Sequence, residues 1–197
     1  MSESWIDLVL ASSGEEVEAV AGRLPPWLAP QLCRARLANG GGLRALEEGL
    51  ASSDVRVRLA ALASAPLELL GVDLIERCFD DPEWLVVEQA VFLAGELELQ
   101  GLVGRLIGMA RTSTEAAVRE SAIAALGAIG DPAAVPVIAS AIRSEKVYIR
   151  RRAVVAAAAF EGDELASALA LAREDRDPQV RALVEEIEDS VVDDRWR

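Results

Sequence analysis

The chain has 197 residues, 52% hydrophobic but only 4% aromatic, with a net charge of -13 and no histidine. That length can bury a real core, and an apolar set dominated by Ala, Leu and Val favours helices over sheets. The acidic balance argues against nucleic-acid binding, whose affinity comes mostly from phosphate neutralisation, and the missing histidine excludes a Ser-His-Asp arrangement or a His-activated thiol.

Cys33 and Cys78 are the two cysteines, and they offer neither zinc-ligand spacing nor a disulfide framework. The start, MSESWIDLVLASSGEE, lacks the positive flank of a secretory signal. No apolar run approaches the ~18 residues of a membrane span. These features predict a cytoplasmic protein with no metal, no cofactor and no membrane contact.

In chain order, residues 1–23 read as an N-terminal helical cap, with Ser13-x-x-Glu16 as a capping box. Residues 24–52 read as a degenerate first repeat. Leu28, Leu32 and Ala35 would form its long helix, Pro25, Pro26 and Pro30 complicate its entry, and Asn39-Gly40-Gly41-Gly42 is a flexible connection. From 53 to 192 the pattern is regular. A β-branched residue recurs at Val57, Val86, Val118, Ile149 and Val180, at spacings of 29, 32, 31 and 31. Arginine follows it at Arg58, Arg119, Arg150 and Arg181, and Val87 replaces it once.

Apolar residues then fall on one helical face, as in Val118, Ala122, Ala125, Leu126 and Ile129. A shorter helix lies between these long ones. Its buried rows are Leu43, Val72, Val103, Val135, Ala166; Leu46, Ile75, Leu106, Ile138, Leu169; and Cys78, Met109, Ala141, Ala172. Asp81-Pro82, Asp131-Pro132 and Asp177-Pro178 read as N-caps followed by proline at the first helical position, and Asp163 as the cap of a short helix. Gly127, Gly130 and Gly162 are placed near helix ends. Residues 193–197 are a frayed tail, and Trp196 is either a docking residue or disordered. The whole, 1–197, reads as a single repeat domain.

The run V-R-x-x-A-x-x-A-L-G-x-I-G-D followed by A-V-P-x-I, at Val118–Ile138, resembles the HEAT-like repeats of the phycobilisome-lyase type, over roughly 43–190. The resemblance implies an all-α, right-handed α-solenoid of stacked antiparallel helix pairs, with the long helices on the concave side. It also implies a range of functions: scaffolding, bilin-lyase subunits, immunity-type inhibitors and some DNA-repair glycosylases.

A residue held in register across repeats serves what the repeats share, so the arginine row is expected to bind neighbouring repeats together. Function belongs where the repeats differ. The two positions after the arginine row run Leu59-Ala60, Glu88-Gln89, Glu120-Ser121, Arg151-Arg152 and Ala182-Leu183. We expect a partner-binding strip at Glu88, Gln89, Glu120, Ser121, Arg151 and Arg152, with Phe92 as an apolar anchor; the competing reading is an ordinary solvated face. Trp84 is expected to pack at a helix start. Cys33 and Cys78 read as buried small hydrophobes. The basic cluster Arg150-Arg151-Arg152 is expected to balance nearby carboxylates. Residues 1–100 hold seven basic against 17 acidic residues, so the expected partner is another protein, with a basic surface, bound without catalysis by an adaptor, inhibitor or chaperone type of module.

Overall fold

The computed structural model describes residues 14–22, 24–144 and 146–194. Among them there are twelve α-helices, several short 3-10 turns and no strand. The α-helices are α1 (Gly14–Ala21), α2 (Ala29–Ala38), α3 (Gly42–Leu50), α4 (Val55–Ser64), α5 (Val72–Cys78), α6 (Trp84–Glu96), α7 (Val103–Thr112), α8 (Ala116–Ile129), α9 (Val135–Ile142), α10 (Val147–Ala157), α11 (Asp163–Ala172) and α12 (Pro178–Asp194). They form two compact units, Met1–Ala90 and Val91–Arg197, whose boundary falls inside α6.

In the first unit, α1 packs on α2, α2 on α4, and α3 pairs with α4. Val17 and Ala35 are buried together, with Leu24 and Leu32 against them. In the second unit, short and long helices form the hairpins α7/α8, α9/α10 and α11/α12, while α8, α10 and α12 stack on one another and α9 packs on α7 and α11. Stacked antiparallel helix pairs are the α-solenoid arrangement expected from the repeat.

The register explains the core. Val57, Val86, Val118, Ile149 and Val180 are all buried, as are Leu46, Ile75, Leu106 and Ile138. The row fails in the last short helix. There Leu169 is half-buried, while Leu165, Ala168 and Ala172 point inward. Here Gly162, at φ 131, is the N-cap of α11, and Asp163 is its first residue rather than its cap. Leu43 and Ala166 are exposed rather than buried, and Met109 and Ala141 are half-buried beside the more deeply placed Ala110 and Ile142.

Helix starts follow aspartate chemistry. The Asp54 carboxylate accepts from the Arg56 N–H at 2.9 Å, Asp131 from Ala133 at 2.8 Å, and Asp177 from Gln179 and Val180 at 3.1 Å each. Asp81 accepts from the Glu83 N–H at 2.9 Å, but α6 begins at Trp84, so Pro82 precedes the helix instead of opening it. The capping box at Ser13 and the residues around Trp196 lie outside the described residues; α12 itself continues past Val192 to Asp194.

Two glycine readings change. Asn39–Gly42 is an ordered turn: the Gly41 N–H donates to the Arg36 carbonyl at 2.9 Å and Gly40, at φ 83, donates to Leu37 at 3.4 Å, a Schellman closure of α2. Gly127 sits inside α8. A Cβ there would lie 2.8 Å from the Ala156 Cβ and 2.9 Å from its Cα, so the glycine lets α8 and α10 approach closely. Gly95 plays the same part against Ala125.

The arginine row joins successive repeats. Arg58 grips Asp81 through Nε and Nη2 at 2.8 and 2.9 Å, and its Nη1 donates to the Ser52 carbonyl at 2.9 Å. Arg150 grips Asp175 at 2.6 and 2.8 Å and donates to the Ser144 carbonyl at 3.0 Å. Arg119 donates to the carbonyls of Ser113 and Thr114, and Arg181 to that of Asp175 at 2.7 Å. Each arginine thus reaches back six residues to a loop carbonyl. Two of them also reach forward to the carboxylate in the next such loop. Asp175 therefore serves two repeats, its side chain binding Arg150 and its carbonyl Arg181.

Candidate interaction surface

The long helices share an inward face and differ on the outward one. On α6, Val86, Ala90, Val91 and Ala94 are fully buried. Helical geometry then turns Leu85, Glu88, Gln89, Phe92 and Glu96 to the opposite side, while Trp84, seven residues before Val91, stands at the margin of the buried face at the helix start. Trp84 and Leu85 are each 41% exposed and Phe92 is 49% exposed. Trp84 thus stands at a helix start, as expected, but is exposed.

Among the other long helices α10 comes nearest, with Val147, Tyr148 and a 48% exposed Val155 at the same positions. At the register of Trp84-Leu85 the others carry Val55-Arg56, Ala116-Ala117, Val147-Tyr148 and Pro178-Gln179. At the register of Phe92 they carry Ala63, Ala124, Val155 and Glu186. The chain between Arg58 and Arg105 contains nine acidic residues and one basic residue, Arg77. Glu83 and Glu96, at the two ends of α6, are exposed and form no ion pair among the described residues.

The remaining strip residues sit in a different setting. Arg152 meets Glu120 at 3.1 Å, joining α10 to α8. Arg151 grips Asp177 with Nε and Nη2 at 3.0 and 2.6 Å, tying α10 to the start of α12. Arg150 is buried on Asp175. The basic cluster therefore balances carboxylates, as expected from sequence. Ser121 is half-buried. Hydrogen bonding from Arg150 and Arg151 holds the Asp175 and Asp177 carboxyls below the ordinary carboxylate range. Glu88, Gln89 and Phe92 share α6 with Trp84 and Leu85, which the sequence reading did not include. The signal was available: three bulky apolar residues at register positions that the regular α8 fills with alanine.

Neither cysteine is placed for chemistry. Both are buried, and burial pushes the Cys33 thiol up and the Cys78 thiol up to about 11. No group of His, Cys, Asp or Glu among the described residues is arranged to hold a metal, and no helix among them is long and apolar enough to cross a membrane. A cleft of 410 Å³ is lined by Arg36, Gly40, Gly41, Arg44 and Glu48, but its carboxylate already meets Arg44 at 2.9 Å.

A sequence model of HEAT repeats matches residues 72–159 and 105–188, more than half of the chain. No curated protein sequence matches it. Among solved structures, YibA of Escherichia coli is similar at 12% identity and a TM-score of 0.62, covering 98% of this chain and 81% of its own. A designed armadillo repeat protein in complex with the peptide (KR)4 shares 15% identity, with a TM-score of 0.56 and coverage of 94% and 89%. An engineered protein shares 19% identity, with a TM-score of 0.55 and coverage of 93% and 95%. At these identities the likeness is one of fold.

Proposed function

The chain belongs to the HEAT-repeat family, and from that premise we propose that it is a non-enzymatic protein-interaction module whose partner presents a basic surface. The observation that carries this reading is the unevenly placed acid excess. In the first unit Arg36, Arg44, Arg56 and Arg58 already meet carboxylates of their own chain, and Glu47, Glu68, Asp73 and Glu83 are exposed. A designed repeat protein of similar fold binds a peptide of alternating Lys and Arg, which is consistent with an acidic helical array receiving a basic chain.

Complementary charge of this kind speeds association and selects among partners more than it deepens affinity. Within the expected strip, the weight falls on Glu88, Gln89 and Phe92. Glu120, Arg151 and Arg152 would have to exchange internal ion pairs for external ones, and Glu88 would exchange an internal polar interaction. An adaptor, an inhibitor and a chaperone for a basic client all fit this description.

The test is direct binding of labelled (KR)4 and (DE)4 peptides, read by fluorescence anisotropy at low and moderate salt. The basic peptide is expected to bind and to weaken as salt screens the charges. Equal binding of both peptides, or of neither at low salt, would sink the basic-partner reading.

A further inference from the structure

We infer that α6 is the docking surface itself, and that its occupant is an amphipathic helix with an apolar stripe bordered by Lys or Arg. The inference rests on the interaction-module reading and adds the place and the kind of partner.

Leu85 and Phe92 are seven residues apart on one helix, which puts them on one line about 10 Å apart along its axis. Trp84 widens that line at its start, and Glu88 and Gln89 lie between the two apolar positions. A second helix packing along α6 meets the line with residues of its own at the same helical spacing. An extended chain advances about 3.4 Å per residue and alternates its faces, so it matches that line less well. The exposed acids at the two ends of α6 select Lys or Arg on the partner's flanks. Buried aromatic anchors ringed by polar contacts are how interfaces concentrate their binding energy.

The register comparison shows that bulk at these positions is not needed for folding, and α6 is distinguished from α10, which carries Tyr148 and Val155 there, by its acidic rather than basic setting. At the positions of Leu85 and Phe92, α8 carries Ala117 and Ala124 and still forms a regular long helix. The apolar bulk on α6 is thus not required for a repeat to fold.

Three probes test this on the full chain: a synthetic Leu/Lys amphipathic helix, a Leu/Glu helix of the same apolar pattern, and (KR)4. The Leu/Lys helix is expected to bind at least about tenfold more tightly than (KR)4. The double variant Leu85→Ala with Phe92→Ala should bring it down to the (KR)4 level, with an unchanged helical circular-dichroism spectrum. Leu85→Gln with Phe92→Gln is the second variant, should alanine alter the fold. If either folded variant binds the Leu/Lys helix as tightly as the parent chain, or if (KR)4 binds equally well, the α6 assignment is overturned while the basic-partner reading stands. If the Leu/Glu helix binds as well as the Leu/Lys helix, or if no basic probe binds at low salt, both fail.

Discussion

Arg119 is held by loop carbonyls alone among the described residues, whereas Arg58 and Arg150 also grip an aspartate from the next repeat. The residue at the register of Asp81 and Asp175 in the loop after Arg119 is Ser144. Its hydroxyl accepts from the Lys146 N–H at 3.2 Å, the same turn that Asp81 makes with Glu83 and Asp175 with Asp177. Ser144→Asp should therefore complete a third clamp without disturbing the loop. Hydrogen bonds to charged groups contribute about 1.5–3 kcal/mol, and partial desolvation of the new carboxylate offsets part of that. The expected gain is about 1 kcal/mol, or a rise in Tm of about 2–4 °C for a chain of this size. Urea denaturation followed by circular dichroism measures it. The same substitution in an Arg119→Gln background should gain nothing, giving a coupling energy of about 1 kcal/mol. Ser113→Asp, in a repeat preceded by Val87 rather than arginine, subtracts any gain from the turn itself. An equal gain with and without Arg119 would refute the clamp reasoning.

Four further outcomes follow from the same geometry. Glu98 sits at φ 47 in the left-handed cap of α6, where α8 uses Gly130 at φ 72; Glu98→Gly should stabilise by about 1 kcal/mol in a urea titration, and a loss would contradict the assigned strain. Gly127→Ala should destabilise by about 1–2 kcal/mol despite alanine's helix propensity, and Ala156→Gly should restore the loss; without that rescue the close approach is not its cause. Asp175→Asn should cost about 3 kcal/mol at neutral pH because it leaves Arg150 buried without its counter-charge. The Asp175 carboxyl is depressed below 3.8 in the folded chain, so its contribution is present above that pH and is lost as pH falls through the folded value; the gap between parent and variant should begin to narrow only below about pH 4, and a gap that does not narrow at all on acidification would exclude the ion pair as its source. Iodoacetamide near pH 8 should leave the native thiols of Cys33 and Cys78 essentially unlabelled and modify them rapidly in urea; rapid native labelling would show that they are not buried as described.

The fold was legible because a repeat states its contacts several times over. The β-branched row, the single short-helix row from Leu46 to Ile138 and the structural character of the arginines all follow from residues recurring in register. What stayed hidden depended on backbone detail or on distant partners. The cap of α11 is Gly162 at φ 131 rather than Asp163, and neither composition nor spacing reveals that. Gly127 reads as a helix end until α10 is seen against it. Arg58 and Asp81 are 23 residues apart in the chain, and Arg150 and Asp175 are 25, so the pairing needs the fold before it can be recognised. On the surface, the Glu88–Arg152 strip was located by asking where repeats differ. The same question, asked one turn earlier, reaches Trp84 and Leu85. Their exposure could not be read from the presence of a tryptophan, because a bulky residue at a helix start packs inward as readily.

The double use of Asp175 has a consequence for how such a chain can grow or shrink. Each complete clamp is a hook in one repeat and an eye in the next, so the cassette that can be duplicated or removed cleanly is not the visible helix pair. It is the stretch from one loop aspartate to the next, cut out of phase with the helices. A cassette excised in that frame leaves the preceding hook facing another eye. One cut at the hairpins strands a buried guanidinium at the junction. Where the eye is Ser144 no such clamp forms and the exposed Arg152–Glu120 pair spans the joint instead, so that is the joint at which a foreign cassette would be accepted with least regard for its loop sequence.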